Sequence, residues 1–400
     1  MKIKSVYGTL MGSKEEYRLS LEHAMHFTLE MEDKVDGERL QKAMDQALVI
    51  CPYMTYDMVV EDGYCYFTDN DRPVTVQTEM PKQLGEDSLG GHLFCVLAGD
   101  HQIKGWVSHA LTDGAGTSWF LSAMMQFYFE VENPDLYTGR DKDDYFGDLL
   151  KEPLPVSENY IFRDYRVEPS FRIPEAGKFR DPGEVRRADS RPYFFSTLSL
   201  SLEDVDRFCA LYRCSHSVFL FYMLARTVAR IHPENGEPVA ARMPVNARRF
   251  FGMDNSFQNA SANQIVISLK PEDLKEREEG ELIAELKASV KKQVEADHLA
   301  YCLNQYRAHV TKEGDTSHLK EIISLSGQSI MLTDMGMIFP EEVNRRLDQI
   351  LINTYSGGQM SFFFATRGNW IDITWSQLFE DPVYREELVK VLREYKIRVS

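Results

Sequence analysis

Gly105-Trp106-Val107-Ser108-His109-Ala110-Leu111-Thr112-Asp113-Gly114 reads as a buried strand running into His-x-x-x-Asp-Gly, with an apolar helix close behind over Thr117–Phe129. A histidine at a strand end, followed by a short turn that holds a carboxylate and a glycine, is well placed to serve as a general base. Neutral imidazole titrates near physiological pH and can take a proton from an attacking hydroxyl or amine. Three fixed identities within six positions arise by chance in roughly a few per cent of chains of this length at average composition, so the surroundings must carry the reading. The bland alternative for His109 is an ordinary core histidine. The aromatic stripe Trp119–Phe129 reads as core packing.

Working outward, alternation around His26-Phe27-Thr28-Leu29-Glu30-Met31 predicts a strand, and Asp36 an N-cap. The helix behind it puts Leu40, Ala43, Met44, Ala47 and Leu48 on one face and stops at Pro52. Two hairpins follow, Met54–Val60 with Tyr64–Thr68 and His92–Leu97 with Ile103–His109. From about 150 to 195, prolines at 153, 155, 169, 174, 182 and 192 break the periodicity, which predicts a long crossover. The second half resumes with a strand at Phe194–Ser199, a helix led by Ser201 or Glu203, and an apolar helix at Ser217–Ile231. Strands are expected at Pro238–Val245, Gln264–Leu269, 329–337, 358–366 and 370–376, and helices at 278–296, 300–311, 340–351 and 382–395. Hairpins with few βαβ units predict an α+β fold, not a doubly wound one.

The 400 residues leave room for two cores, and 43% apolar with 27% charged residues is a globular composition. A net charge of -17 argues against nucleic acid as a partner. No run of eighteen apolar residues occurs, and the N-terminal Met1-Lys2-Ile3-Lys4-Ser5 has no apolar stretch behind it, so neither a transmembrane segment nor a secretory signal is expected. Cys51, Cys65, Cys95, Cys209, Cys214 and Cys302 show no paired spacing, which suits reduced thiols in a cytoplasmic protein. His23 and His26 share an i, i+3 spacing, but no third ligand is evident and no metal is expected. A nucleophile elbow, a Walker loop and a dinucleotide fingerprint are all missing.

His109-Ala110-Leu111-Thr112-Asp113-Gly114, together with Pro244-Val245-Asn246-Ala247-Arg248, resembles the chloramphenicol acetyltransferase-like superfamily, which includes condensation domains and alcohol acetyltransferases. The likeness runs over most of the chain: Ile50-Cys51-Pro52-Tyr53, Leu332-Thr333-Asp334-Met335-Gly336, the Gly357–Trp375 strands and the last helix all fit. Ser108 stands where many condensation domains carry a first histidine, the plant-type Asp-Phe-Gly-Trp-Gly motif is missing, and these departures favour a free-standing enzyme.

The resemblance implies an α+β fold of two similar subdomains, each a mixed sheet with helices, divided into 1–175 and 176–400 with a tunnel between them. It also implies transfer of an acyl group from acyl-CoA to a hydroxyl or amine acceptor, with His109 as general base and no permanently bound cofactor. Asp113 is expected to turn from the imidazole and pair with Arg248, with Arg242 and Arg249 as lesser candidates; Gly114 would let the backbone approach the tunnel. Asn263, Gln359 and Ser361 are candidates for contacting an oxyanion or substrate, being on strands expected to line the tunnel. The alternatives are a condensation-type enzyme using a phosphopantetheine-linked acyl donor on a carrier protein in trans, and a binding protein that keeps the fold without turnover.

Overall fold

The structure, a computed structural model, describes residues 2–5, 19–61, 64–132, 134, 194–234, 236–251, 257–300, 302, 330–354, 360–377 and 382–400. The expected crossover lies outside the described residues up to the strand beginning at Phe194. So do the 175/176 boundary and, apart from Ala300 and Cys302, the helix expected over 300–311.

In chain order the first half contributes β1 (Lys2–Ser5), β2 (Met25–Glu30), helix α1 (Gly37–Ile50), β3 (Asp57–Glu61), β4 (Tyr64–Thr68), β5 (Phe94–Ala98), β6 (Gln102–Val107) and α2 (Gly114–Tyr128). The second contributes β7 (Phe194–Ser201), α3 (Leu202–Tyr212), α4 (His216–Ile231), β8 (Val239–Asn246), β9 (Ser261–Leu269), α5 (Glu279–Gln293), β10 (Ile330–Met337), β11 (Gln349–Asn353), β12 (Met360–Arg367), β13 (Trp370–Gln377) and α6 (Val383–Glu394). The described strands form sheets ordered β1-β4-β3, β11-β2-β6-β5 and β7-β13-β12-β10-β8-β9. The first two are antiparallel, while β10 runs parallel to both β12 and β8 in the third.

Local chemistry explains the helix starts. The Asp36 carboxylate accepts from Arg39 N at 3.0 Å and opens α1, whose Leu40, Ala43, Met44 and Ala47 are buried. Ser201 and Ser215 cap α3 and α4 in the same manner, accepting from Asp204 N and Val218 N. The helix read over Thr117–Phe129 begins at Gly114, because Asp113 supplies its N-cap. Residues Pro52–Thr55 form a short 3-10 turn, so the strand expected from Met54 starts at Asp57.

The helix expected over 340–351 is corrected. One helical turn, Glu341–Asn344, gives way to β11, which pairs antiparallel with β2. Ile350 and Ile352 are buried and Leu351 is half-buried, a period of two that suits the open edge of β2. This short strand carries second-half sequence into a first-half sheet. Asp372, 1% exposed on β13, fixes it there. The carboxylate accepts from Ile350 N at 2.9 Å, from Ser199 Oγ at 2.6 Å and from Arg367 Nε at 2.7 Å.

The apolar interior follows this exchange. One core lies within the second half, packed between α4, α6 and the six-stranded sheet. The other, built on β2, α1 and α2, also takes in Phe257, Ile338, Phe339, Ile350 and Phe363 from the second half. All six cysteines are free thiols, five of them buried and Cys214 half-buried. Among the described residues no single helix is long and apolar enough to cross a membrane.

Candidate active site

His109 lies in the turn two residues beyond β6, on the wall of a cavity of about 460 Å³ where the two halves meet. First-half side chains Met25, His26 and Trp119 share that wall with second-half Pro244, Thr333 and Phe363. The imidazole is half-buried, and its Nδ1 lies 3.2 Å from the Thr112 carbonyl oxygen. Because a carbonyl only accepts, we assign the proton to Nδ1, which leaves the lone pair on Nε2. The Asn259 amide nitrogen, also a donor, lies 3.3 Å from the same ring nitrogen and makes no hydrogen bond to it in this tautomer, while its Oδ1 accepts from Ser261 N at 2.9 Å. Burial pushes the His109 pKa below its ordinary value. The Asp113 charge and the Thr112 carbonyl oppose this without reversing it.

Asp113 does not contact the imidazole by hydrogen bond. Its two oxygens receive Arg248 Nη1 at 2.9 Å and Nη2 at 2.8 Å, with side-chain exposures of 1% and 2%. Ala115 N and Gly116 N of α2, Ala260 N and Ser261 Oγ complete the shell. Burial alone would raise the Asp113 pKa. The Arg248 charge and these donors outweigh it and hold the carboxyl below its usual range. Arg248 also donates to Gln258 O and Asn246 Oδ1, and its guanidinium lies 5.3 Å from the Trp119 ring centroid. One buried ion pair thus ties the His109 turn to the 246–261 segment.

Phe257 makes two further contacts with the first half. Thr112 Oγ1 donates to Phe257 O at 2.6 Å, and Tyr53 stacks on the Phe257 ring while donating to Gly116 O. Gly116 is dictated by this closeness, since a Cβ there would run into the Thr112 hydroxyl. Gly114 sits on the cavity wall, where a Cβ would press against the Met335 side chain.

The remaining expectations fall differently. Asn263 is in β9, two residues beyond the cavity-lining Ser261. Ser361 is buried beside Met331 in register and is not among the lining residues, so the structure does not bring it to the cavity. Gln359 lies outside the described residues. Neither Arg242 nor Arg249 forms an ion pair with Asp113, whose oxygens Arg248 occupies. No group of three or more His, Cys, Asp or Glu side chains able to hold a metal occurs among the described residues. Sequence reading missed Asn259, the Phe257 anchor and Thr354, none of which has a local pattern to reveal it.

No sequence-family profile and no curated protein matches this chain. Solved structures do. TRI3 trichothecene 15-O-acetyltransferase from Fusarium sporotrichioides superposes with a TM-score of 0.67 at 10% identity, over 98% of this chain and 94% of that one. F. sporotrichioides TRI101, in complex with coenzyme A and T-2, gives 0.61 at 11% identity over 99% of each chain. The epimerization domain from the third module of tyrocidine synthetase B gives 0.59 at 12% identity, over 99% of this chain and 98% of that one. The chain therefore has the two-lobed fold of the chloramphenicol acetyltransferase-like acyltransferases and condensation domains.

Proposed function

We propose that this protein transfers an acyl group from an acyl-CoA thioester directly to a hydroxyl or amine, with His109 as general base. The observation that carries the reading is a half-buried imidazole, kept neutral by burial, on the wall of a cavity shared by both halves. The solved coenzyme A complex of a protein with this fold supports the choice of donor. The acceptor oxygen or nitrogen attacks the thioester carbonyl while Nε2 takes its proton. The new bond to the acyl carbon forms, the C–S bond breaks, and the thiolate leaves with the proton returned by the imidazolium. Asp113, spent on Arg248, holds the turn and is not itself protonated in the reaction.

The test is acceptor-dependent thiol release from acyl-CoAs of increasing chain length, with wild type and His109→Ala compared. The substitution lowers kcat/KM by about 10²–10⁴-fold, the range for a lost general base, while the melting temperature stays close to wild type. With the His109 pKa lowered, kcat/KM is flat through neutral pH and falls only below the ordinary imidazole range near 6.5. Equal activity in the His109→Ala protein would end this assignment. Release from a phosphopantetheine-loaded carrier protein but from no acyl-CoA would move the donor to a carrier partner.

A further inference from the structure

Two thiols meet where α3 gives way to α4. Helix α3 ends in a left-handed turn at Arg213, φ 51°, and the N–H groups of Arg213 and Cys214 both reach back to the Cys209 carbonyl. A helix end closed in this way sets the side chains of residues 209 and 214 against each other, a contact that apolar residues commonly fill. Here both are cysteines. The Cys209 thiol is directed at the Cys214 sulfur and donates to it. The left-handed position favours glycine, so an arginine there means that neighbours hold the turn and not its own preference. Lys287 is one such neighbour, donating from Nζ to Tyr212 O at 3.0 Å.

The two sulfurs differ in a way that suits chemistry in sequence. Cys214 is half-buried and directly precedes Ser215, the N-cap of α4, which places it at the positive end of that helix. The hydrogen bond from Cys209 lowers the Cys214 pKa, and the Lys287 charge adds to this against the effect of burial. Cys209, 8% exposed, is pushed the other way by the same bond, by burial and by the Cys214 and Asp206 charges. Cys214 is therefore the sulfur open to a solute and the first to give up its proton, with Cys209 directly behind it. Cys51, Cys65, Cys95 and Cys302 are no more than 2% exposed.

We propose that Cys209 and Cys214 form a reversible redox site, in which hydrogen peroxide converts the thiol pair to an intramolecular disulfide across the α3–α4 turn. The Cys214 thiolate attacks one peroxide oxygen and the O–O bond breaks. A sulfenic acid forms, and the departing hydroxide takes up the proton that Cys214 released. Cys209 then attacks the sulfenic sulfur: the S–S bond forms, the S–O bond breaks, and the Cys209 proton leaves with that oxygen as a second water. Each sulfur gives up one electron, and the peroxide oxygens take both. A small thiol restores the pair by exchange. The link ties the turn to the head of α4, whose Ser217 donates to Asp334 on the cavity-lining strand β10. None of this depends on the transferase reading.

Peptide mapping tests the site, because trypsin cuts after Arg207, Arg213 and Arg226 and so separates the two cysteines. The reduced full-length protein is treated with hydrogen peroxide, quenched, unfolded, alkylated and digested. The expected product is Phe208–Arg213 joined through sulfur to Cys214–Arg226, two hydrogens lighter than the sum of the peptides. The chain stays monomeric on a non-reducing gel, two of its six thiols are lost to titration, and dithiothreitol restores them. The Cys209→Ser protein stops at the sulfenic acid, trapped on Cys214 by dimedone, and the Cys214→Ser protein keeps Cys209 reduced at the same dose. Six thiols surviving a dose that oxidises free glutathione overturns the site. So does a link that appears only in urea, a link between two chains, or oxidation spread evenly over all six cysteines. The wild-type map decides the proposal even where a serine variant fails to fold.

Discussion

Asp113 occupies the position where a base-orienting carboxylate would be sought, yet every strong contact it makes leads elsewhere. Two guanidinium bonds, the first amides of α2 and two donors from 260–261 surround it, all in the protein interior. Removing Arg248 would strand a buried anion, and breaking such a pair one-sidedly costs about 3–5 kcal/mol. Arg248→Met and Asp113→Asn therefore each lower the urea midpoint markedly, and the double variant loses less than the sum of the two. Additive losses would show that the pair is not coupled. The sign with pH follows from the lowered folded pKa: the pair's stability is present above the unfolded carboxyl value near 3.8, and is lost as pH falls through the folded value. This partnership became legible in the sequence only through the likeness of Pro244–Arg248 to a known motif. Asn259 and Thr354 were illegible for a physical reason. They lie 150 and 245 positions from His109, and only the tertiary fold makes them neighbours of its turn or of its cavity.

At the scale of elements, periodicity located most strands and helices within a few residues, because apolar spacing and capping side chains are local facts. It failed at β11, whose few residues alternate too briefly to overrule a helical reading of Glu341–Asn344. What makes Gln349–Asn353 a strand is the unfilled edge of β2 and the Asp372 carboxylate that accepts from Ile350 N. Asp372 also joins Ser199 on β7 and Arg367 on β12, so one side chain links three strands of the large sheet to the edge of the smaller one. Asp372→Ala leaves Arg367, 15% exposed, without its carboxylate. The expected loss is about 3 kcal/mol or more in urea unfolding, the low end for a broken buried pair. Amide exchange should quicken first at Ile350 and along β11. A stability loss with β11 protection unchanged would place the role of Asp372 within the large sheet alone.

For the whole molecule, the sequence on either side of the expected 175/176 division shares one core and one sheet. The first-half core is closed by Phe257, Ile338, Ile350 and Phe363, its sheet is completed by β11, and the His109 turn is locked by Arg248. A first half unfolding alone would expose those side chains and strand the Asp113–Arg248 charges, so neither half has a low-cost way to open by itself. Unfolding is therefore expected to be cooperative across the chain, although a protein of 400 residues has room for intermediates. Tryptophan supplies the probe: Trp106 reports on β6 in the first half and Trp375 on β13 in the second. Two variants, each keeping one of these and replacing the other tryptophans with Phe, should show coincident urea midpoints after each is referred to its own far-UV transition. Separated midpoints within one variant would mean that the halves open independently, and that the cavity between them can widen without global unfolding. Coincidence would instead fix the cavity walls as one cooperative body, the condition under which His109 and the second-half residues across the cavity hold a constant geometry.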